Sequence, residues 1–348
     1  MKRFDYSFLE KGMIPASLVN VVSAIAELRV RVNRLKENYP DVFIRLKSIA
    51  KVQSIKGLNA IERIVTSEQR FNEIVNQNSA PKNRNEAEIA GYRDALNLVH
   101  ENHASLDIRE QDILRLHEII LSYTPVRGGA YKQSDSVVIK MGSASQQRVL
   151  FAPTPANETA AAMEQLVLAF MEARSNYEVN RLLLIPCFIL DFLCIHPFTD
   201  GNGRVSRLLS LLMFYKNDFD AAKYISFDEQ INKSKWDYYE AMRLSSEGWH
   251  ENTNSYFPFV EIFVANLLYC YKELDKRFAE FHAKKVNKRE QIEATVLNSL
   301  LPISKLEICY VLPDVSPTTV EATLAAMVRN RTVDKVGSGK NTKYIKRV

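Results

Sequence analysis

Residues 196–207 read HPFTDGNGRVSR and are the most informative stretch of this sequence. A buried apolar helix is predicted to end at Ile195, because Pro197 cannot continue it. The glycines within residues 200–203 disfavour helix and let backbone N–H groups approach a ligand closely. A second helix is predicted to begin near Arg204, so that its free N–H groups and the positive end of its dipole face the loop. The stretch therefore predicts a turn that cradles an anion.

The charged side chains of this stretch suit the transfer of a phosphorus-containing group. Arg204 and Arg207 share a helix face and can each take a phosphate. Asp200 is the nearby carboxylate, and beside phosphates its natural role is to hold Mg²⁺. His196 is the side chain here that can take a proton near pH 7. Each feature alone is common on protein surfaces, but their combination in one short stretch indicates phosphoryl-type chemistry.

Helical periodicity dominates the chain on both sides of this stretch, so the predicted fold class is mainly α. Apolar residues at helical spacing predict helices at Ala16–Asn38, Asp107–Leu121, Asn157–Arg174, Val179–Ile195, Ser206–Tyr215 and Val260–His282. Two β-rich runs, Ser136–Met141 and Gln147–Phe151, flank a short glycine- and serine-containing turn and predict one hairpin. A single hairpin has no core of its own, so we expect it to lie across other elements.

The C-terminal residues predict a separate winged helix-turn-helix module after a linker at Phe281–Lys288. Ser316 and Pro317 suit the N-cap and first position of its third helix. The predicted elements are helices at Arg289–Leu300, Ile303–Tyr310 and Pro317 to about Asn330, and a hairpin of Val333–Val336 and Thr342–Lys346. Residues 285–348 contain 11 Lys and Arg against 6 Asp and Glu, so they carry the whole net charge of +5. This excess favours contact with a nucleic acid or an acidic protein surface.

The composition is that of a soluble globular protein, with 46% hydrophobic and 25% charged residues. The four cysteines form no CxxC pair, which argues against a disulfide framework or a zinc site. The most apolar segment, Leu182–Ile195, is shorter than the roughly 20 residues that span a membrane. We therefore expect free thiols, a cytoplasmic location and no membrane contact.

The stretch at 196–207 resembles the Fic-domain signature HPFx[DE]GNGRxxR at every fixed position. The resemblance implies a Fic-type helical core with a β-hairpin flap, followed by the winged-helix module. It divides the chain into an N-terminal helical region at 1–83, a catalytic core at 84–283 and the module at 284–348. The implied activity is that of a protein adenylyltransferase, which moves AMP from ATP to a Ser, Thr or Tyr hydroxyl of a target protein and of itself.

The resemblance also implies a role for each site residue. His196 is the general base, and Asp200 binds the Mg²⁺ that bridges the phosphates. Asn202 and the backbone at Gly201 and Gly203 hold the α- and β-phosphates. Arg204 takes the β-phosphate and Arg207 the γ-phosphate. The full set expected to bind nucleotide is Thr199, Asp200, Gly201, Asn202, Gly203, Arg204, Arg207, Tyr238 and Tyr239. The two tyrosines resemble the aromatic pair of the nucleoside pocket, and packing in a helix core is the alternative.

Two further segments resemble parts of Fic proteins. The hairpin at Ser136–Phe151 corresponds to the flap, whose edge strand aligns the target peptide by β-augmentation. The segment GLNAIERI at 57–64 resembles the inhibitory motif [ST]xxxE[GN], with Glu62 as the glutamate that pairs with Arg207. Leu58 and Arg63 depart from this motif, at the Ser or Thr and at the Gly or Asn position. The alternative is an ordinary exposed glutamate on an amphipathic helix.

Several alternatives remain open at the level of sequence. A Fic core can transfer UMP, phosphate or phosphocholine, or remove AMP from a modified protein. The rival class is a DNA-binding or partner-binding regulator that uses the Fic core as a nucleotide sensor. The predicted recognition helix begins PTTVE and has no Arg or Lys before Arg329, which argues against sequence-specific readout of DNA. The target protein and the oligomeric state, a homo-oligomer included, are also open.

Overall fold

The computed structural model describes residues 2–135, 138–140, 148–283, 288–299, 301–339 and 342–347. The fold is mainly helical, as predicted. The helices are α1 Phe8–Lys11, α2 Ala16–Asn38, α3 Pro40–Glu62, α4 Glu68–Gln77, α5 Arg84–Asn102, α6 Glu110–Leu121, α7 Ala156–Ser175, α8 Arg181–Ile195, α9 Asn202–Lys216, α10 Ala221–Tyr224, α11 Phe227–Lys233, α12 Lys235–Ser246, α13 Phe257–Ala283, α14 Lys288–Leu297, α15 Lys305–Val311 and α16 Pro317–Arg329. The strands are β1 Val138–Lys140, β2 Arg148–Phe151, β3 Ile303–Ser304, β4 Val333–Val336 and β5 Lys343–Lys346.

The larger of two compact units, residues 1–30 and 50–272, contains the predicted site. Its central helix α8 is buried along almost its whole length, which agrees with the continuous apolar run of its sequence. Helix α9 follows α8 directly and is buried as fully, with Phe214 packed edge to face against Phe227 of α11. The stretch at 196–207 therefore joins the two most buried helices of the unit.

The smaller unit consists of residues 31–49 and 273–348. Its C-terminal part has a hydrophobic core of its own, in which Ile292, Ile308, Leu324 and Val333 are almost completely buried. Three helices pack with an antiparallel sheet in the order β3-β5-β4. The hydroxyl oxygen of Ser316 accepts the Thr319 N–H at 3.2 Å, which confirms the predicted N-cap of α16. Strand β3 was not predicted from the sequence.

The two compact units do not follow the predicted boundaries at 83/84 and 283/284. Helices α2, α3 and α13 each run from one unit into the other, so the cut falls inside helices rather than in linkers. A linker at 281–288 was expected, but α13 continues to Ala283. Residues 284–287 lie outside the described residues. The division into three functional domains remains a prediction.

The six helices predicted by apolar periodicity are all present, with ends shifted by a few residues. The cysteines of α8 and α13 are buried, while Cys309 is partly exposed. Across the described parts of the chain, no helix has the length and apolar character needed to cross a bilayer.

Candidate active site

The loop between α8 and α9 turns through two residues in the left-handed region. His196 follows the last residue of α8 with φ 51°, and its N–H donates to the Phe192 carbonyl at 3.0 Å. Gly201 has φ 83° and precedes α9, a conformation that favours glycine. Helix α9 begins at Asn202, two residues before the predicted start, and has no side-chain N-cap bond. Its first N–H groups therefore open onto the loop.

The side chain of Asn202 holds this loop together. Its Oδ1 accepts the Phe198 N–H at 2.9 Å, and its Nδ2 donates to the Phe198 carbonyl at 2.7 Å. Because the residue is buried and both ends of its amide are engaged, the side chain fixes the loop. Both ends of this amide are thus used within the loop, and the contact of Asn202 with phosphate stays a prediction. The N–H groups at the start of α9 are the better phosphate donors.

Lys132, which precedes the hairpin, braces the turn at His196 from both sides. Its Nζ donates to the Ile195 carbonyl at 3.1 Å, and its N–H donates to the Pro197 carbonyl at 2.9 Å. Burial, together with the Lys132 charge, lowers the pKa of His196 to about 4. The imidazole is therefore neutral near pH 7, which is the form that can accept a proton.

Asp200 lies between two arginines. Its Oδ1 accepts from Arg204 Nη2 at 2.9 Å and from the Gly201 N–H at 2.6 Å, and its Oδ2 lies 3.6 Å from Arg84 Nη2. No cluster of three acidic, cysteine or histidine side chains suited to a metal occurs among the described residues. A lone, partly exposed carboxylate fits Mg²⁺, which binds through one or two carboxylates together with substrate phosphates.

His117 on α6 supports the loop from the opposite side. Its ring stacks on Phe198 with 3.7 Å between centroids. Nδ1 accepts the Gly129 N–H at 3.1 Å, so Nε2 carries the proton and donates to the Asp200 carbonyl at 3.1 Å. Burial lowers the pKa of His117 to about 4, which keeps this arrangement neutral. The role of His117 could not be predicted, because it lies 83 residues before its partner.

Each motif arginine is buried and has an acidic neighbour from another helix. Arg204 Nη1 lies 3.4 Å from Glu88 Oε2 on α5. Arg207 Nε lies 3.7 Å from Asp228 Oδ1 on α11. In both guanidinium groups Nε and Nη1 are buried without a hydrogen bond. The two arginines thus keep unused donors beside the open end of α9, as a pair of phosphate ligands requires.

The expected Glu62–Arg207 ion pair is not formed. Among the described residues, Arg207 forms its ion pair with Asp228. No ion pair joins Arg207 to Glu62 in this part of the chain. Burial opposes the charge of Arg207, but anionic groups around it, Glu62 among them, keep its pKa above the ordinary value. The effect of Glu62 on Arg207 is therefore one of charge through space. The close approach of Glu62 to α9 is at Gly203.

Glu62 lies against the first turn of α9. Its Oε1 is 2.8 Å from the position that a Cβ would take at Gly203. The carboxylate therefore lies beside the first turn of α9, near the helix end at which the dipole favours negative charge. A phosphate group bound there would meet it. Glu62 is also solvent-exposed, so its side chain can leave without opening the core.

The end of α3 explains the sequence around Glu62. Helix α3 ends at Glu62, and Arg63 follows with φ 60°, the left-handed conformation in which Gly or Asn is favoured. Leu58 is fully buried, so its side chain contributes packing where the motif has a hydroxyl. Lys235 Nζ donates to the Ile61 carbonyl at 2.7 Å and fixes the last turn of α3.

The predicted nucleoside residues differ in exposure. Tyr238 is buried, packs against Phe259 and lies under the Arg207 guanidinium, 5.6 Å from ring centroid to Cζ. Its position fits the core-packing alternative and a direct influence on Arg207. Tyr239 is 38% exposed, and its ring lies edge to face with that of Tyr238, with 5.8 Å between centroids. Thr199 is exposed on the loop.

The predicted flap is present as two paired strands. Strands β1 and β2 are antiparallel, with Lys140 opposite Arg148. Phe151 at the end of β2 stacks on His250 with 5.3 Å between centroids. Residues 136–137 and 141–147, which complete the predicted hairpin, lie outside the described residues.

Comparisons with known proteins agree with this architecture. Residues 107–214 match the family described as Fic/DOC. A Fic family protein from Desulfovibrio desulfuricans G20 is similar in structure, with a TM-score of 0.63 and 19% identity over 96% of this chain and 97% of that chain. A Fic domain containing signaling protein from Bacteroides thetaiotaomicron gives 0.55 and 16%, over 78% of this chain and 100% of that chain. Fic-1 from C. elegans gives 0.53 and 17%, over 75% and 72%. No curated protein matches the sequence.

Proposed function

Since the chain carries a Fic domain over residues 107–214 and is a Fic-type enzyme, we propose that it is a protein adenylyltransferase. The substrates are ATP and a Ser, Thr or Tyr hydroxyl of a target protein, and the chain also modifies itself. The observation that carries the proposal is the meeting of three groups at one loop. These are a neutral His196, the open N-terminus of α9 and two buried arginines with unused donors.

The proposed step is an in-line displacement at the α-phosphorus of ATP. The target hydroxyl oxygen forms a bond to the α-phosphorus while the bond from that phosphorus to the bridging oxygen of the β-phosphate breaks. His196 takes the hydroxyl proton, and pyrophosphate leaves with the bonding pair. The N–H groups at the start of α9 and the guanidinium groups of Arg204 and Arg207 stabilise the charge that collects on the phosphate oxygens.

Mg²⁺ belongs to this proposal as the companion of ATP, and Asp200 would hold it. When bound, it neutralises charge on the phosphate oxygens. Asp200 forms ion pairs with Arg204 and Arg84. A phosphate partner for Arg204 would release its bond to this carboxylate, so that Asp200 could bind the metal. Asp200 therefore changes partners as the substrate arrives.

Glu62 is proposed to be a brake on this reaction. Its carboxylate occupies the end of α9 where a phosphate would bind, so ATP and Glu62 compete for the same helix terminus. This differs from the ion pair with Arg207 expected from the sequence, because Arg207 has its own partner in Asp228. The left-handed Arg63 weakens the end of the helix that holds Glu62, so we expect some activity in the unmodified chain.

Self-modification tests the proposed chemistry directly. The purified chain is incubated with Mg²⁺ and ATP, and its intact mass is measured. We expect a mass increase of one adenylyl group, which His196→Ala abolishes. Parallel incubations with UTP, CTP and GTP identify the accepted base. An increase of one phosphate, or a uridylyl group alone, would replace adenylylation by another transfer.

The protein target is proposed to bind along the flap formed by β1 and β2. The outer edge of a strand can pair its N–H and C=O groups with an extended peptide. Labelled ATP added to a cell lysate together with the Glu62→Gly variant would identify the target by its labelled band. A lysate without the variant supplies the background.

The C-terminal module is proposed to select partners and to take no part in the chemistry. Its own hydrophobic core supports an independent role. The exposed face of α16 carries Thr318, Glu321 and Ala322, so it offers a protein contact more readily than phosphate ligands. Truncation at Lys285 should change which lysate proteins are labelled while self-modification persists. A DNA-binding regulator would instead show binding to duplex DNA that weakens steeply with salt.

A further inference from the structure

The buried ion pair of Arg207 and Asp228 has an unusual geometry. Both side chains are almost fully buried, at 4% and 1% exposure. Nε of Arg207 and Oδ1 of Asp228 lie 3.7 Å apart, and each lacks a hydrogen bond. A buried pair normally closes into direct hydrogen bonds, because burying unused polar atoms costs stability. In this pair, Nε of Arg207 and Oδ1 of Asp228 remain too far apart for a hydrogen bond.

Asp228 itself is held firmly. Tyr92 Oη on α5 donates to its Oδ2 at 3.3 Å. Ser54 on α3 lies on the same side, where its hydroxyl bonds to that of Ser226 at 3.0 Å. Gly57 allows α3 to approach closely, since a Cβ there would lie 2.8 Å from the backbone nitrogen of Glu229. The carboxylate is therefore placed by the Tyr92 hydroxyl and by the close packing of α3 against α11.

The guanidinium of Arg207 is constrained on its remaining sides. The ring of Tyr238 lies against it, and α9 fixes its backbone. With Asp228 attracting Nε from behind, the group cannot rotate away without leaving a buried carboxylate unpaired. An anion that reaches the end of α9 would meet donors whose direction is already set.

We propose that Asp228 is a positioning residue, which holds the Arg207 guanidinium in the orientation that binds the outer phosphates of ATP. The inference rests on the proposed use of ATP. It assigns a role to a residue outside the 196–207 stretch and 21 positions beyond Arg207. It also explains why Arg207 and Asp228 form no hydrogen bond with each other, because an N–H group that donates to Asp228 could not donate to the nucleotide.

The preference for triphosphate over monophosphate tests this role. Binding of ATP and of AMP to the full chain, with Mg²⁺, is measured by calorimetry for the unmodified protein and for Asp228→Asn. We expect ATP binding to weaken about tenfold and AMP binding by less than about twofold, since one charged hydrogen-bonding group loses its orientation. Asp228→Glu keeps the charge and should restore part of the preference. Equal weakening of both ligands, or no weakening, would overturn the assignment.

Asp191→Asn is the matched control. Asp191 is a fully buried carboxylate of the same unit, hydrogen-bonded by Trp249 at 2.6 Å and by Tyr6 at 2.7 Å. It should lower the melting temperature without changing the ratio of ATP to AMP affinity. A change of that ratio equal to the one in Asp228→Asn would assign the effect to general loosening and overturn the proposal.

Two further measurements keep the test decisive. If Asp228→Asn fails to fold, Tyr92→Phe removes only the hydroxyl that fixes Asp228, and a loss of ATP preference of about twofold or more is expected. An unchanged preference in Tyr92→Phe would then reject the role.

Transfer of AMP by the unmodified chain is assayed separately. A chain that binds ATP but transfers nothing would contradict the proposed function, while the binding ratios still decide the role of Asp228.

Discussion

Glu62 Oε1 lies 2.8 Å from the point where a Cβ would stand at Gly203, so the last residue of α3 touches the first turn of α9. A carboxylate at this place acts as a substitute for a phosphate, because both are anions attracted to the open N-terminus of a helix. The absence of a side chain at Gly203 makes the approach possible. If Glu62 is a brake, as proposed, regulation and substrate binding would share this helix end.

The first prediction concerns the loss of this carboxylate. Glu62→Gly should raise self-modification by about tenfold or more, because it removes the anion that competes with ATP. The measurement is the initial rate with labelled ATP at matched ATP and Mg²⁺ concentrations. Glu68→Gly is the control, since Glu68 is an exposed glutamate of the neighbouring helix that pairs with Lys56. A rate in Glu62→Gly no higher than that of the unmodified chain would show that Glu62 is not a brake.

The second prediction concerns Arg63, which has φ 60° directly after α3. Glycine adopts this conformation without a Cβ penalty, so Arg63→Gly should stabilise the protein by about 0.5–1 kcal/mol. It should also lower the basal rate, because a firmer helix end keeps Glu62 in place. Thermal unfolding and the labelling rate are measured together.

Arg63→Ala separates backbone from charge in this experiment. Alanine removes the guanidinium but keeps the Cβ, so it should give no gain in stability and no fall in rate. If alanine and glycine act alike, the charge of Arg63 and not its backbone conformation controls the brake.

The helix-loop-helix unit could be predicted from the sequence, and the chemistry of its side chains stays a prediction. The residues that orient those side chains could not be predicted. Lys132, His117 and Asp228 contact the loop or its arginines from segments distant along the chain, and each is an ordinary polar residue in its own helix or turn. Only the fold brings them together.

The third prediction concerns the metal. Asp200→Ala and EDTA should each stop transfer, because a carboxylate and a divalent cation would act as one unit on the phosphates. EDTA should add little to the defect of Asp200→Ala in the labelling assay. Full labelling by the unmodified chain in EDTA would exclude the role of Asp200 as a metal ligand.

The fourth prediction concerns the protonation of His196. Burial, with the Lys132 charge, lowers its pKa to about 4, so the ring should stay neutral as the pH falls from about 8 to about 5. The NMR shift of its ring protons, assigned by their loss in His196→Ala, should not change over this range. In the unfolded chain the pKa of this ring is 6.5. The contribution of His196 to the free energy of unfolding is therefore complete above pH 6.5 and declines as the pH falls towards 4. A midpoint near 6.5 in the folded protein would contradict the buried, neutral base.

The segment at Glu62 shows how a motif can be similar in sequence while the contact that it implies differs in the structure. The departures at Leu58 and Arg63 were visible in the sequence, but their meaning depends on the structure: one residue packs in the core and the other takes the left-handed position. The expected partner of Glu62 was Arg207, and the contact lies at Gly203 instead. Buried Asp228, which already occupies the side of Arg207, accounts for the difference.

The position of the isotope in ATP tests adenylyl transfer most directly. The Glu62→Gly variant is incubated with Mg²⁺ and ATP labelled at either the α- or the γ-phosphate, with the Glu62→Gly, His196→Ala double variant as control. We predict that the α-label becomes bound to the protein, that the γ-label does not, and that the double variant loses about 10²–10⁴-fold of the α-labelling rate. Labelling from the γ-phosphate alone, or α-labelling undiminished in the double variant, would contradict the account.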